Sequence, residues 1–197
     1  MKKKAQKVKD MGDSELIKLI RKDNPELYRE VVKRYQKKLF SYIYRLVNNK
    51  EETEDILQNV FVKTYISLKS FDLEKKFSSW IYRIAHNEAI NFLKKRNKRR
   101  LISWEDIAST KDKMETKSEE LDPLDVWLKK ETRIEVRGAL EKLPENYQQV
   151  LILRYFSDKS YAEIGKIIKS PANTVGTLIN RAKKKLMDVV CHAQGLD

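Results

Sequence analysis

The chain has 197 residues, which is enough for one large or two small domains, and its hydrophobic content of 41% can fill real cores. The formal net charge of +13 predicts a polyanionic partner, either a nucleic acid or an anionic membrane face. No apolar run approaches the roughly 20 residues that a membrane-spanning helix needs, so a spanning helix is excluded. The single cysteine, Cys191, allows neither an internal disulfide nor a cysteine metal cluster, which favours a reducing, cytoplasmic compartment.

The charge is spread unevenly and divides the chain into segments. Residues 1–102 carry 26 Lys and Arg against 13 Asp and Glu, residues 103–131 carry 5 against 9, and residues 132–197 carry 11 against 7. We therefore predict two basic domains, at 14–102 and 132–197, that flank an acidic flexible linker at 103–131. We predict that residues 1–13 form a flexible basic arm, because the apolar core of a signal peptide does not follow the charged start.

The first domain reads as a series of helices. A short helix is predicted to begin near Ser14, and Asn24 followed by Pro25 marks the start of a second helix that ends near Asn48. A third helix follows at 52–68. Apolar residues recur at the helical period in each, and no alternating strand pattern appears, so we predict a helical bundle.

The fourth helix, predicted for 77–100, has the features of a nucleic-acid ligand. An aromatic and aliphatic stripe at its start is followed by Asn87 and Asn91, one turn apart, and then by a dense cationic run. Lys and Arg neutralise phosphates, and the amide of Asn offers a donor and an acceptor to base edges. We therefore predict that this helix grips a nucleic-acid strand. Trp80 lies on the apolar stripe, so core packing is its expected role and base stacking is the alternative.

The second domain carries a sharper local signature. Ser160-Tyr-Ala-Glu163 is a capping box that starts one helix, and Ser170 before Pro171 starts another, predicted for 173–186. Two such helices joined by a short turn form a helix-turn-helix, whose second helix normally lies in the DNA major groove. The predicted fold class is thus all-α, with two helical domains joined by a flexible acidic linker and a helix-turn-helix in the C-terminal domain.

Three segments together carry a family resemblance. They are LYREVVKRYQKKLFSYIYRLVNNKEETEDILQNVFVKTYISLKSF, then FSSWIYRIAHNEAINFL, then ALEKLPENYQQVLILRYF with SYAEIGKII. In this order they resemble the two conserved domains of an extracytoplasmic-function (ECF) sigma factor of the sigma-70 family of bacterial RNA polymerase. The resemblance covers about residues 14–102 and 132–188. It implies a dissociable transcription initiation factor that directs core polymerase to specific promoters, binds a −35 element with its C-terminal domain and opens a −10 element with its N-terminal domain.

The resemblance also implies partners and a docking helix. In the family, the helix that corresponds to 52–68 docks on the clamp coiled coil of the largest polymerase subunit, and the matching residues here are Asp55, Gln58 and Phe61. Asp55 can pair with an arginine and Gln58 can add hydrogen bonds, whereas Phe61 is expected to lie mainly in the core. Without the resemblance, a solvated helix face would be the better interpretation. The C-terminal domain is expected to meet the polymerase flap, and an anti-sigma factor is a further expected partner.

Promoter opening is implied for the loop before the fourth helix and for that helix itself. The family captures an unstacked base there, which offsets part of the cost of melting. The residues expected to contact the −10 strand are Phe71, Lys76, Phe77, Asn87, Asn91, Lys94, Lys95, Arg96, Arg99 and Arg100. For the cationic run, a merely solvated helix end is the alternative.

The second helix of the helix-turn-helix departs from its family. Gly176 and Leu178 stand where the family usually has cations, and a glycine inside a helix costs about 1 kcal/mol relative to alanine. The residues expected to contact the −35 element are Asn173, Thr174, Thr177, Asn180, Arg181, Lys183, Lys184 and Lys185. We therefore do not carry over the usual −35 sequence. Alternatively, Gly176 allows a closer approach of the backbone to DNA.

Other functions fit the sequence less well. The two histidines, His86 and His192, lack a second ligand at metal spacing, and no phosphate-binding glycine loop or nucleophile motif is present, so we expect neither an enzyme nor a metal or cofactor site. A stand-alone helix-turn-helix regulator, with the first domain as an interaction module, is the main alternative. A non-specific architectural DNA binder is the third, and it would bind without sequence preference.

Overall fold

The computed structural model describes residues 11–22, 24–106 and 137–194, with side chains described only to 98 in the first domain and to 192 in the second. Most of the expected basic arm and acidic linker lie outside the described residues, and so do the side chains of Arg99 and Arg100. Every regular element in the described ranges is helical, which confirms the all-α prediction. None of the described helices is both long and apolar enough to cross a bilayer.

The first domain contains four helices in the predicted order. They are α1 (Asp13–Lys22), α2 (Tyr28–Val47), α3 (Lys50–Ser67) and α4 (Phe77–Asp106), with short 3-10 turns at Pro25–Leu27 and Leu68–Ser70. The four-residue repeat of α2 points inward, because Val31, Tyr35, Leu39 and Ile43 are all buried. Helix α4 is six residues longer at its C-terminal end than the sequence pattern predicts.

The α2–α3 junction shows how two asparagines separate two helices. Asn48 adopts the left-handed conformation with φ of 55°, and its backbone N–H still bonds back to Tyr44 O, which ends α2. The Asn49 side chain then accepts a hydrogen bond of 2.9 Å from the backbone N–H of Glu52 and caps α3. Carboxylates at Glu51 and Glu52 in the first turn complement the helix dipole.

Polar contacts join the helices of the bundle both at its surface and in its centre. At the surface, Arg21 of α1 donates to Leu68 O at 2.9 and 2.7 Å and so ties α1 to the end of α3. In the centre, a hydrogen bond of 2.9 Å joins the Tyr42 hydroxyl and His86 Nδ1, which links α2 to α4. Burial lowers the pKa of His86 to about 4, so the imidazole is neutral in the folded protein.

The second domain has the predicted helix-turn-helix. After a helical segment at 137–141 come α5 (Glu145–Leu151), a π-helical stretch (Ile152–Phe156), α6 (Tyr161–Ile168) and α7 (Ala172–Gln194). The capping box is complete: Glu163 N–H donates to Ser160 Oγ at 3.3 Å, and Ser160 N–H donates to Glu163 Oε2 at 2.9 Å. Helix α7 extends eight residues beyond the predicted end at 186.

The turn between α6 and α7 leaves no room for a side chain at Gly165. Lys169 adopts the left-handed conformation with φ of 59°, and the chain then passes so close to α6 that a Cβ on Gly165 would lie 2.5 Å from Ser170 O. Gly176 differs, because a Cβ there would lie 3.6 Å from the Tyr161 ring, which is an ordinary contact. Gly165 is therefore a steric requirement of the turn and Gly176 is not.

The two domains are in contact. Helix α6 packs against α4, and the π-helical stretch approaches α2. Buried side chains of both domains form one continuous apolar cluster. The described residues therefore place the helix-turn-helix directly beside the four-helix bundle, and this arrangement was not expected from the sequence.

Replacing each glycine by alanine should shift stability in opposite directions. Gly176→Ala should stabilise the protein by about 1 kcal/mol, because alanine is the better helix former and its Cβ fits. Gly165→Ala should destabilise it by about 1–3 kcal/mol, because the clash with backbone outweighs the same gain in propensity. Urea unfolding followed by circular dichroism measures both, and equal shifts for the two variants would contradict the assignment.

Stability should also fall in mild acid because of His86. The pKa of the imidazole is about 4 in the folded chain and about 6.5 in the unfolded chain. Its contribution to the free energy of unfolding is therefore complete above pH 6.5 and is lost as the pH falls towards 4. The loss attributable to this group is at most about 3 kcal/mol. Urea unfolding at several pH values should show a flatter pH dependence for His86→Gln than for the unmodified chain. The exposed His192→Asn variant is the control and should keep the full dependence.

Candidate nucleic-acid interface

One face of α4 remains open to solvent and carries the predicted amides and cations. At the helical repeat, Asn87, Asn91 and Lys94 share this face, and Lys95 flanks it. Asn91, Lys94 and Lys95 are exposed, and Asn87 is half-buried. Lys98, which was not among the residues expected from the sequence, is also exposed and continues the same face one turn further on. The result is a row of amides that leads into a row of ammonium groups.

The aromatic residues of the α4 entry lie inside the domain. Phe71 is 4% exposed and Phe77 is 2% exposed, so both rings lie in the core of this structure, and their contact with DNA stays a prediction. The two rings pack edge to face with centroids 5.4 Å apart, and Trp80 covers both at 4.8 and 5.5 Å. Trp80 itself is half-buried against the core, as expected. The cluster therefore supports the 71–76 loop from beneath.

Arg96 is engaged within the first domain. Its Nη1 donates to Glu52 Oε2 at 2.9 Å and to Val47 O at 3.1 Å, so it pairs with α3 and satisfies a carbonyl at the end of α2. The Arg96 side chain is only 33% exposed. These contacts give Arg96 a structural role, and its expected phosphate contact stays a prediction.

Lys76, in the loop before α4, has a partner in the other domain. Its ammonium lies 2.8 Å from Glu163 Oε1, while the other carboxylate oxygen of Glu163 completes the capping box of α6. Burial alone would raise the pKa of Glu163, but the hydrogen bonds from Lys76 and Ser160 outweigh it and lower the pKa to about 2. Glu163 is therefore a firmly ionised partner for Lys76.

The second helix of the helix-turn-helix, α7, keeps its predicted candidates on the surface. Its buried side consists of Val175, Ile179 and Ala182. All eight expected −35 contacts are exposed, namely Asn173, Thr174, Thr177, Asn180, Arg181, Lys183, Lys184 and Lys185. Thr177 Oγ1 donates to Asn173 O at 3.2 Å, which aligns the hydroxyl along the helix.

The two departures from the family pattern have different structural reasons. Leu178 is half-buried and packs against the core, so it replaces a cation with apolar contact. Gly176 lies beneath the ring of Tyr161, which is 40% exposed and has the Arg154 guanidinium 5.5 Å from its centroid. A longer side chain at 176 would extend towards that ring.

Helix α3 presents a third exposed face, and it is the most apolar one. Asp55 and Gln58 are exposed, and Phe61 is partly buried against the core. On the same face Val62 is 57% exposed and Ile66 is 71% exposed. Val62 and Ile66 were not expected from the sequence as site residues, although they are apolar, four apart and out of phase with the buried Ile56, Val60 and Thr64. That mismatch of phase is the signal that could have identified them.

No group of three or more metal-ligating side chains occurs among the residues with described side chains. The Nδ1 atom of His86 is hydrogen-bonded to the Tyr42 hydroxyl. The described surfaces therefore offer contacts to macromolecules, in the form of two amide and cation rows and one apolar and acidic face.

Comparisons with known proteins agree on the nature of both domains. Residues 31–99 match the family model "Sigma-70 region 2", and residues 133–186 match "Sigma-70, region 4". The ECF RNA polymerase sigma factor SigW of Bacillus subtilis is 32% identical over 173 residues, which are 86% of this chain and 92% of SigW. The ECF RNA polymerase sigma-E factor of Escherichia coli K12 is 32% identical over 178 residues, which are 89% and 93% of the two chains.

Solved structures share the fold at lower identity. CnrH, solved in complex with the cytosolic domain of CnrY, matches 90% of this chain and 96% of its own with a TM-score of 0.66 at 19% identity. RpoE of Bartonella quintana, solved in complex with the anti-sigma factor NepR, matches 83% and 96% with a TM-score of 0.65 at 18% identity.

The structural role of Arg96 gives a direct test. Arg96→Ala should destabilise the protein by about 1–2 kcal/mol, because it leaves Val47 O and the Glu52 carboxylate without their partner. The matched control Lys95→Ala removes an exposed cation from the same helix and should change the free energy of unfolding by less than about 0.5 kcal/mol. Urea unfolding compares the two, and equal destabilisation would refute the distinction.

Proposed function

The chain belongs to the extracytoplasmic-function sigma factors of the sigma-70 family, and we propose that its three exposed faces divide the contacts of promoter-specific initiation among them. Members of this family are non-enzymatic subunits of RNA polymerase that direct it to specific promoters. The observation that carries the proposal is that α3, α4 and α7 each keep a face exposed, which is apolar and acidic on α3 and bears amides and cations on α4 and α7.

The α3 face is assigned to core polymerase, on the clamp coiled coil of the largest subunit. Exposed Val62 and Ile66 offer apolar area that becomes favourable only when a partner buries it, at about 25 cal/mol per Å². Asp55 and Gln58 lie beside them and supply a charge and hydrogen bonds that fix the orientation of the partner. In a strongly basic chain, an apolar face with an acid at one end suits a protein partner better than DNA.

The α4 face is assigned to the −10 element. Asn87 and Asn91 lie one turn apart and can hydrogen-bond to bases of a separated strand, while Lys94, Lys95 and Lys98 hold its phosphates. Lys76 adds a further cation at the loop that precedes the helix. Phe71 and Phe77 act indirectly, because they support this loop from within the core.

The α7 face is assigned to the −35 element in the major groove. Asn173, Thr177 and Asn180 lie on one side of the helix and can read base edges. In this assignment the lysines at 183–185 lie near the DNA backbone. Because Gly176 and Leu178 provide no cation, amides and hydroxyls have a larger share in base reading than the family pattern implies. The second domain is also the expected contact of the polymerase flap.

An anti-sigma factor is the proposed regulator of this chain. Both CnrH and the Bartonella RpoE were solved with proteins bound to them, the latter with an anti-sigma factor. An exposed apolar face on α3 offers such a protein the same surface that core polymerase uses. Since the work of a sigma factor takes place on RNA polymerase, we place the chain in the cytoplasm.

The two alternative functions explain less. A stand-alone helix-turn-helix regulator gives no reason for a first domain that matches region 2 over residues 31–99. An architectural DNA binder gives no reason for the apolar face of α3. Sigma-factor function accounts for both domains together.

Run-off transcription with purified core polymerase tests the proposal and its assignment of α3. The unmodified chain should give transcripts from a defined start site. Val62→Ser combined with Ile66→Ser should weaken core binding about tenfold or more, because it removes apolar area that docking would bury, and should leave the fold intact. Binding is measured by fluorescence anisotropy of labelled sigma titrated with core.

The control variant for this test is Gln36→Ser, which changes an exposed residue of α2. It should leave core binding and transcription unchanged. Equal core affinity for the α3 variant and the control would contradict the α3 assignment. A chain that binds duplex DNA tightly but never core polymerase would contradict the proposed function as a whole.

A further inference from the structure

The outward side of α2 carries a row of cations that none of the three assigned faces includes. Arg29, Lys33 and Lys37 follow one another at four-residue intervals, so they line one face of the helix, and all three are exposed. The opposite side of the same helix, with Val31 and Tyr35, is buried where α2 packs against α3 and α4. The row therefore lies on the side of α2 that points away from both helices.

The three cations of the row have no ion-pair partner in the part of the chain with described side chains. Glu30 is the one carboxylate of α2, against six Lys and Arg, and it lies 3.7 Å from Arg34. Arg34 in turn donates to Met11 O at 2.8 Å and to Asp13 Oδ1 at 3.1 Å, away from the row. The row therefore keeps its full positive charge.

This arrangement is unfavourable for the helix itself. Like charges four residues apart on a helix repel each other, and a cation in the first turn meets the positive end of the helix dipole. Both conditions hold here, because Arg29 is the second residue of α2 and the two lysines follow it one and two turns later. A merely solvated face can mix both signs of charge, whereas an anion along the row would relieve both penalties. The uniform sign therefore favours an anionic partner.

The form of the row fits the phosphate backbone of duplex DNA better than the other polyanions. From residue 29 to residue 37 the helix rises about 12 Å, which spans three to four phosphates of one strand at about 3.4 Å each. A helix that lies on a membrane needs an apolar face for the lipid, and the apolar face of α2 is buried in the core. A protein interface has an apolar centre, whereas the remaining exposed residues of α2, Gln36 and Lys38, are polar.

We propose that Arg29, Lys33 and Lys37 form a fourth contact surface, which binds the backbone of duplex DNA without reading its sequence. Ammonium and guanidinium groups neutralise phosphates and release counterions, so this binding depends on salt and not on base identity. The row points away from α4, so it holds duplex DNA outside the separated −10 strand. It adds affinity for DNA in general, and the choice of promoter stays with α4 and α7. The inference goes beyond the proposed function and requires only that the chain meets DNA.

The salt dependence of DNA binding by the full-length chain tests the row. Fluorescence anisotropy with a labelled duplex that lacks promoter elements gives the binding constant between about 50 and 200 mM salt. Lys33→Gln combined with Lys37→Gln should reduce the slope of log K against log salt by about 1.8, because each neutralised phosphate contributes about 0.9. The unmodified chain should show the steeper slope.

Two control variants separate the row from net charge and from the loss of lysine as such. Lys69→Gln combined with Lys142→Gln removes the same charge from two exposed positions off the row and should leave the slope unchanged. Lys33→Arg combined with Lys37→Arg keeps both charges on the row and should keep the slope. Urea unfolding of the row variant should have the same or a higher midpoint, because glutamine removes the repulsion between neighbours.

Three results would overturn the inference. Equal slopes for the glutamine variants on and off the row would show that only net charge matters. A larger loss of binding to single-stranded RNA or to phosphatidylserine vesicles than to duplex DNA would assign the row to another polyanion. A lower urea midpoint for the row variant would show that the two lysines stabilise the fold, contrary to their lack of partners.

Run-off transcription with the unmodified chain and core polymerase reports on the proposed function separately. A chain that starts transcripts, yet gives equal slopes for the two glutamine variants, refutes the DNA-binding row alone. A chain that shows the difference in slope but never supports transcription contradicts the proposed function and leaves the row in place.

Discussion

Helix α4 has helix neighbours in both domains, and its exposed face is what these contacts leave uncovered. It packs against α2 and α3 within its own domain and against α6 of the second domain. The Tyr42–His86 bond at its centre and the Arg96–Glu52 pair further along fix its rotation. In the part of α4 with described side chains, the exposed residues lie along one strip, and that strip carries the amides and lysines assigned to the −10 strand.

The sequence predicts most of this bundle because apolar burial leaves a one-dimensional pattern. The four-residue repeat of α2 and the capping box at Ser160 both depend on residues a few positions apart, so both can be recognised without coordinates. The exposed candidates of α7 follow for the same reason, since Val175, Ile179 and Ala182 set the inner side and the rest faces solvent. The ends of α4 and α7 are harder to predict, because polar helical turns continue past the last periodic apolar residue.

Contacts between distant residues explain what the sequence could not give. Arg96 looks like one more cation of a basic run, and only the proximity of Glu52, 44 residues away, makes it structural. Phe71 and Phe77 show the opposite difficulty, since an aromatic residue at a loop has the same signature whether its ring meets a base or the core. Lys76 and Glu163 form an ion pair although the linker separates them in the sequence, and no local pattern in either segment marks them as partners.

The π-helical stretch at Ile152–Phe156 imposes a requirement on the length of the chain. Its backbone bond from Ser157 N–H to Ile152 O, at 3.1 Å, spans five residues where an α-helical bond spans four, so one extra residue is accommodated. Loss of one residue here would rotate everything before it by about 100° relative to α6. Phe156 would then leave Arg45, and the buried Leu153 would leave the core. Related sequences can therefore exchange side chains freely at the exposed positions of this segment, whereas insertions and deletions within it would be selected against.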